Sequence, residues 1–316
     1  MLVLVSVLLA CGAVTAVVYA VLLGESLLKP PRMTGQRAMA LLGRTSPGDL
    51  GFDYEETRFD VEDAATGAPL ALAGWWIPSD HPSDTCVVLV HGFADSKAGA
   101  LAWSGVFRDA GVHQLLIDLR AHGMSGGQLT TGGWFEGEDL RQVAGQIPAQ
   151  FPQESRKIVI FGASLGAAAA VRAALLGANV KAVITDSLFA SYTRATQAHA
   201  ELLGLPRGIV RRLAILYARL RTGATFTGPA EPLNILPKLS VPVLQIQGEL
   251  DPFTPLAEAD QLALAPVHPL SRCLRIPHAH HLQGLAVDRE RYQTAVLEFL
   301  ELVTGPRHPG LPRAED

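Results

Sequence analysis

Two hydrophobic patterns divide the chain. From Met1 to Leu23 apolar residues run almost unbroken and no charged side chain occurs; Ser6, Thr15 and Tyr19 are the only polar-capable residues apart from Cys11. As a helix rising about 1.5 Å per residue, such a run measures roughly 30–35 Å, enough to cross a bilayer core of about 30 Å. Beyond it, short apolar bursts alternate with amphipathic stretches. Residues 57–62 and 70–77 read as two early strands around a Thr66-Gly67 turn. The burst CVVLV at 86–90 is apolar throughout, as a strand buried on both faces requires. Residues 113–117, 157–161, 180–185, 241–247 and 272–276 repeat that pattern. Helical patterns cover about 97–109, 136–150, 165–176, 256–265 and 288–302. Strands alternating with helices predict a mostly parallel, eight-stranded sheet with helices on both faces. Residues 188–239 are more than one crossover needs, and 209–221 within them carry a helical pattern of apolar and Arg positions. They predict a helical cap over the C-terminal edge of the sheet, where open α/β sheets bind ligands.

The organisation that follows is an anchor at 1–24, a linker at 25–50, a main α/β domain at 51–304 and a flexible tail at 305–316. The linker is marked by the breakers Lys29-Pro30-Pro31-Arg32 and Ser46-Pro47-Gly48-Asp49, the tail by its Pro and charge content. A cleaved signal peptide needs a basic leader and a shorter apolar stretch, and a lipoprotein box at 8–11 would put Cys11 inside the apolar run. An uncleaved single-pass membrane helix is the better reading. Lys29, Arg32, Arg37 and Arg44 follow it, which favours a main domain on the cytoplasmic side.

Charge and composition narrow the classes. Lys plus Arg number 26 against 30 Asp plus Glu, a net charge of −4, which argues against nucleic acid as a partner. The 48% hydrophobic content supports a large core. Three cysteines, none in a Cys-x-x-Cys pair, make neither a disulfide framework nor a zinc ribbon.

The chemistry gathers at predicted strand ends. Gly162-Ala163-Ser164-Leu165-Gly166 follows the strand KIVIF and opens a helix of small residues. A nucleophile held in a tight strand-to-helix turn needs glycines where a Cβ would collide, and the helix N-terminus offers N–H groups to a developing oxyanion. Such a Ser needs a base, and the base an orienting acid, downstream in that fold order. Asp251 follows the strand 241–247 in the stiff loop GELDPFTP; the plainer reading is an N-cap for the next helix. Asp186, ending strand 180–185, is a second candidate acid, and a structural anchor is its plainer reading. His278, His280 and His281 follow the last strand, and adjacent residues of an extended loop point opposite ways. A His-rich tract also suits metal, but no distant carboxylate or His cluster joins it. Oxyanion donors are expected from the N–H after the nucleophile, Leu165, and from Phe93 in the His91-Gly92-Phe93 loop, with His91 itself structural. No P-loop or dinucleotide fingerprint occurs, and no cofactor or metal is implied.

In these motifs the chain resembles the α/β-hydrolase superfamily, and more narrowly its Bem46-like, serine-aminopeptidase-like (S9/S33-type) members with a membrane anchor. The resemblance covers about residues 52–302 and rests on HGF at 91–93, DLRAHGMSGG at 118–127, GASLG at 162–166, TDSLFASY at 185–192, GELDPFTP at 248–255 and HAHH at 278–281. It implies Ser164 as nucleophile, Asp251 as acid and His281 as base, the last because the family often reads Gly-x-x-His there. The chain departs from the family at His278, in place of that Gly, and at Ala121, where Arg-Gly-His-Gly is common. It implies a serine hydrolase cleaving an acyl ester or thioester, with a small-molecule or lipid-like acyl substrate. A Ser nucleophile argues against dehalogenase and epoxide hydrolase chemistry. The alternatives are a peptidase, for which Glu201 or Glu231 would have to receive an amine; an acyltransferase; and an inactive membrane-anchored protein that binds an acyl ligand or partner.

Overall fold

A computed structural model of the chain describes residues 1–202, 204 and 208–306. Helix α1 (Leu2–Leu28) carries a window of mean hydropathy 2.5, none of it buried. It stops at Lys29 because Pro30 disfavours the helical conformation in the residue before it. Residues 25–50, expected as a linker, hold the last turn of α1 and a short helix, α2 (Gly35–Leu42). Thr34 caps α2 by accepting from the Arg37 N–H, and Gly43 ends it at φ +66°.

The sheet opens with β1 (Glu55–Glu62) and β2 (Pro69–Ile77), an antiparallel pair. There follow β3 (Thr85–Val90), α3 (Lys97–Ala100), α4 (Ser104–Asp109), β4 (His113–Ile117), α5 (Trp134–Gln150), β5 (Lys157–Ala163), α6 (Leu165–Leu175) and β6 (Ala182–Asp186). The insertion contributes α7 (Tyr192–Leu202), α8 (Ile209–Thr222) and α9 (Pro232–Ile235). The chain closes with β7 (Val243–Gly248), α10 (Leu256–Leu264), β8 (Arg272–Ile276), α11 (Gly284–Val287) and α12 (Arg289–Thr304). Strand order is β1-β2-β4-β3-β5-β6-β7-β8, parallel from β4 through β8. The expected eight-stranded, mostly parallel sheet is therefore present.

Side chains of β3 alternate between two cores. Cys86, Val88 and Val90 pack with α5 and α6, while Val87 and Leu89 pack with α4 and α12. Burial on both faces is what makes this strand almost continuously apolar; β4, β6 and β7 are buried throughout as well, with the polar side chains His113, Gln114, Asp186, Gln245 and Gln247 among them. One expected helix is broken. Residues 97–109 form α3 and α4, and Trp103 between them is buried, its indole N–H donated to Asp186 at 3.2 Å. Helix α5 starts two residues early because the buried Glu136 carboxylate gathers the N–H groups of Thr131 and Gly133 and the hydroxyls of Thr130 and Thr131.

The cap is tied to the N-terminal helix. Ala20, Leu23 and Leu27 of α1 pack with Ala200 of α7 and with Val210 and Ala214 of α8. Leu28 is sealed among Phe135, Tyr192, Ala218, Ala224 and Phe226. Arg32 then fastens the chain by donating to the carbonyls of His122, Gly123, Ser125 and Gly127. Most of the tail expected at 305–316 lies outside the described residues.

Candidate active site

Ser164 stands alone between β5 and α6, at φ +53° and ψ −109°. A non-glycine residue in that conformation is strained, and neighbouring contacts must hold it. The Ser164 N–H donates to the Asp186 carbonyl at 2.9 Å. A Cβ on Gly162 would lie 2.3 Å from the Gly166 oxygen, and one on Gly166 2.4 Å from the Val90 oxygen. The turn closes only because both positions lack a side chain. The hydroxyl is thereby lifted to the mouth of the sheet at the N-terminus of α6.

Asp251 and His281 arrive from the loops after β7 and β8. The Ser164 Oγ and His281 Nε2 are 2.9 Å apart, and His281 Nδ1 is 2.8 Å from Asp251 Oδ2. Asp251 is buried and further held by Gln247 Nε2 at 3.0 Å and the Phe253 N–H at 2.8 Å. It does not cap α10, whose N-cap is Pro255. With Nδ1–H donated to the carboxylate, Nε2 is left to accept from the serine hydroxyl. The Phe253 ring lies 4.5 Å from the imidazole.

The competing residues go elsewhere. His280 and His278 are exposed. Asp186 accepts from Tyr292 Oη at 2.7 Å, Trp103 Nε1 at 3.2 Å and Ser187 Oγ at 2.9 Å, and burial raises its pKa. It is a hub that supports the elbow. His91 accepts the Leu119 N–H at Nε2 and pairs Nδ1 with the Gly92 carbonyl. Burial drives its pKa down to about 3, so it stays neutral and structural. The 118–127 loop is scaffold: Asp118 pairs with Lys97 at 2.8 Å, and Arg120 forks onto Asp139 at 2.6 Å for both bonds. Ala121 and His278, where the resembled family has glycine, adopt φ +60° and +62°.

A cavity of about 210 Å³ opens beside Ser164. Phe93 and Leu165, expected as backbone donors, both line it, and Leu165 as the first residue of α6 has an N–H with no intrahelical acceptor. Most of the other walls were not foreseen. Phe189, Tyr192, Ala195 and Leu282 make an apolar side, and Leu27 comes from the end of α1. Polar points are Thr130, Thr196, Asp95 and His199. Burial raises the Asp95 pKa and lowers that of His199. His199 Nε2 is buried with no hydrogen-bond partner among the described residues, and its ring meets Phe93 edge-on at 5.6 Å. Asp95 could have been read from its place just after HGF. For Leu27 the one signal was the continuation of the apolar pattern past residue 23.

Comparison with known proteins agrees with this architecture. A family model described as "Serine aminopeptidase, S33" matches residues 81–227. The chain is 28% identical over 261 residues to the uncharacterized protein YqkD of Bacillus subtilis, covering 80% of this chain and 84% of that one. It is 34% identical over 147 residues to the polyketide transferase ATR5 of Stachybotrys chlorohalonatus, covering 44% of this chain and 49% of that one. Its fold superposes on the Pyrococcus furiosus esterase Pf2001 with a TM-score of 0.70 at 25% identity, covering 88% of this chain and all (100%) of the esterase. The architecture is the α/β-hydrolase fold.

Proposed function

We propose, from the premise that the chain belongs to the α/β-hydrolase superfamily, that it is a serine hydrolase cleaving an acyl ester or thioester. The reading rests on one observation, the Ser164–His281–Asp251 hydrogen-bond chain at 2.9 and 2.8 Å. His281 Nε2 takes the Ser164 proton as Oγ attacks the acyl carbonyl. The N–H groups of Phe93 and Leu165 hold the oxyanion, each worth about 3 kcal/mol of barrier. His281 returns the proton to the departing alcohol or thiol, leaving the acyl group on Ser164. A water deprotonated by His281 then releases the acid and regenerates the serine. Asp251 fixes the imidazole tautomer and stabilises the imidazolium. The steps use only the chain's own residues and water. The likeness to an esterase of Pyrococcus furiosus supports an ester substrate.

In this reading α1 is an uncleaved single-pass anchor of a Bem46-like enzyme, and Lys29, Arg32, Arg37 and Arg44 put the catalytic domain on the cytoplasmic side. A peptidase is the second reading, favoured by the match to the serine aminopeptidase family and by Asp95 on the cavity wall. The amine-binding role considered for Glu201 or Glu231 would fall to Asp95, since neither Glu is among the described residues lining the cavity. The raised pKa of Asp95 weakens it as a partner for an ammonium group.

Fluorophosphonate labelling of the detergent-solubilised protein followed by intact-mass analysis tests the proposal. One adduct is expected on the wild type and none on Ser164→Ala. A folded wild type that takes no adduct would sink the hydrolase reading and leave an acyl-binding protein. Aminoacyl anilides turned over faster than the matching esters would favour the peptidase.

A further inference from the structure

The end of α1 is part of the catalytic domain. Its exposed apolar stretch gives way, from Ala20 onward, to a buried face made by Ala20, Leu23, Gly24, Leu27 and Leu28. Small side chains recur at every fourth position, at Ala16, Ala20 and Gly24, and α8 answers with Val210, Ala214 and Ala218. Stripes of this kind let two helix backbones approach closely inside or beside a bilayer. A Cβ on Gly24 would lie 2.5 Å from the Tyr217 ring and 3.3 Å from the Ala214 carbonyl oxygen. Helix α8 thus rides directly on the membrane-crossing candidate.

The outer face of α8 has the chemistry of a lipid surface. Ile209, Leu216 and Leu220 stay exposed there, as do Tyr19 and Leu22 on the α1 helix that α8 packs against. Residues 188–239 hold seven Lys and Arg against two Asp and Glu, within a chain of net charge −4. An apolar, cationic helix beside a spanning helix suits the interface of an anionic bilayer. The same α1 turn that packs on the cap also brings Leu27 to the wall of the cavity beside Ser164.

We propose that α1 and the cap form one membrane-seated wall of the acyl cavity, and that Leu27 sets the acyl chain it accepts. The substrate is a long-chain acyl ester of a membrane amphiphile, entering from the bilayer that holds α1. This deepens the serine-hydrolase reading and rests on it.

The test uses the full chain in nanodiscs containing anionic phospholipid, with 4-nitrophenyl butyrate and laurate as probes. The readout is the laurate-to-butyrate ratio of kcat/KM, which a general loss of activity does not move. Wild type favours laurate. Leu27→Trp narrows the wall and lowers the ratio by about tenfold, and Leu27→Ala raises it by about twofold or more, in line with the discrimination a few methylenes supply in an apolar pocket. A purely structural Leu27 would depress both esters alike. Ratios unchanged in both variants, with normal melting curves, overturn the proposal, and so does a wild type that prefers butyrate. In each of those cases fluorophosphonate still labels wild-type Ser164. If it does not, the hydrolase reading has failed and the proposal falls with it.

Discussion

Ala121 and His278 show how a single residue records a constraint it does not fully satisfy. Both adopt positive φ, and both stand where the resembled family has glycine. A side chain in the left-handed region costs about 1–2 kcal/mol, while a new glycine frees the unfolded chain by about 0.4–1 kcal/mol. Ala121→Gly and His278→Gly should therefore each stabilise the protein by about 0.5–1 kcal/mol, raising Tm by about 1–4 °C. Differential scanning calorimetry of the two variants checks this, and a fall in Tm would mean the local contacts outweigh the strain. The acids separate by a different measurement. Asp251→Asn should cut kcat by roughly 10⁴-fold with little change in Tm, since it spoils the tautomer rather than the packing. Asp186→Asn, which disturbs the Tyr292, Trp103 and Ser187 bonds, should lower Tm with the smaller loss in kcat. The reverse order would exchange the two roles. Ser164 and Asp251 were readable because each ends a recognisable strand pattern. His281 against His280 was not readable from the residues alone, because loop alternation says that one faces in and not which; the family pattern chose, and the packing of Leu282, whose N–H reaches Ser187 Oγ at 2.9 Å, orients the loop.

At the scale of elements, central strands such as β3 were legible because both faces of the sheet are covered there, which favours apolar runs. Their ends were less so. β5 extends through Gly162 and Ala163, which read as turn because glycine weakens strands, yet the β3 and β6 ladders hold them in register. The split of residues 97–109 was hidden because the pull on Trp103 comes from Asp186, more than eighty positions away in sequence. Two glycines of similar appearance in sequence have opposite fates in structure. Gly162→Ala would drive a methyl group into the Gly166 backbone and should cost about 3 kcal/mol or more. Gly145, inside α5, has nothing within 4 Å of its would-be Cβ, so Gly145→Ala should gain about 0.5–1 kcal/mol from helix propensity. Urea unfolding of both variants decides the matter. Equal effects would mean that the elbow yields to a side chain.

For the whole molecule, the decisive feature is that the apolar N-terminal helix is exposed in its first half and packed into the rest of the chain at its end. Residues 1–15 are exposed and apolar, whereas Leu23 and Leu28 are fully buried against the cap and the rest of the chain, each at 0% exposure. Burial of a leucine contributes about 1.5–3 kcal/mol, so losing both would remove a large share of a stability that is typically 5–15 kcal/mol. The apolar run announced the helix, but nothing in it distinguishes a lipid-facing leucine from a protein-facing one; that depends on α8, nearly two hundred residues downstream. A cleaved signal sequence would strip out core side chains, and an anchor would keep them. Two truncations separate these consequences. Deleting residues 2–15 should release the protein from membranes yet leave a cooperative melting transition close to that of the full chain. Deleting residues 2–28 should lower Tm by about 10 °C or more, given a loss of several kcal/mol at about 2–4 °C each. Equal Tm values for both truncations would show that the helix end contributes nothing to the domain, and would make a removable leader the better description of α1. The mass of the protein extracted from its native membrane offers the independent check, with the helix retained through Leu28 as the expected result.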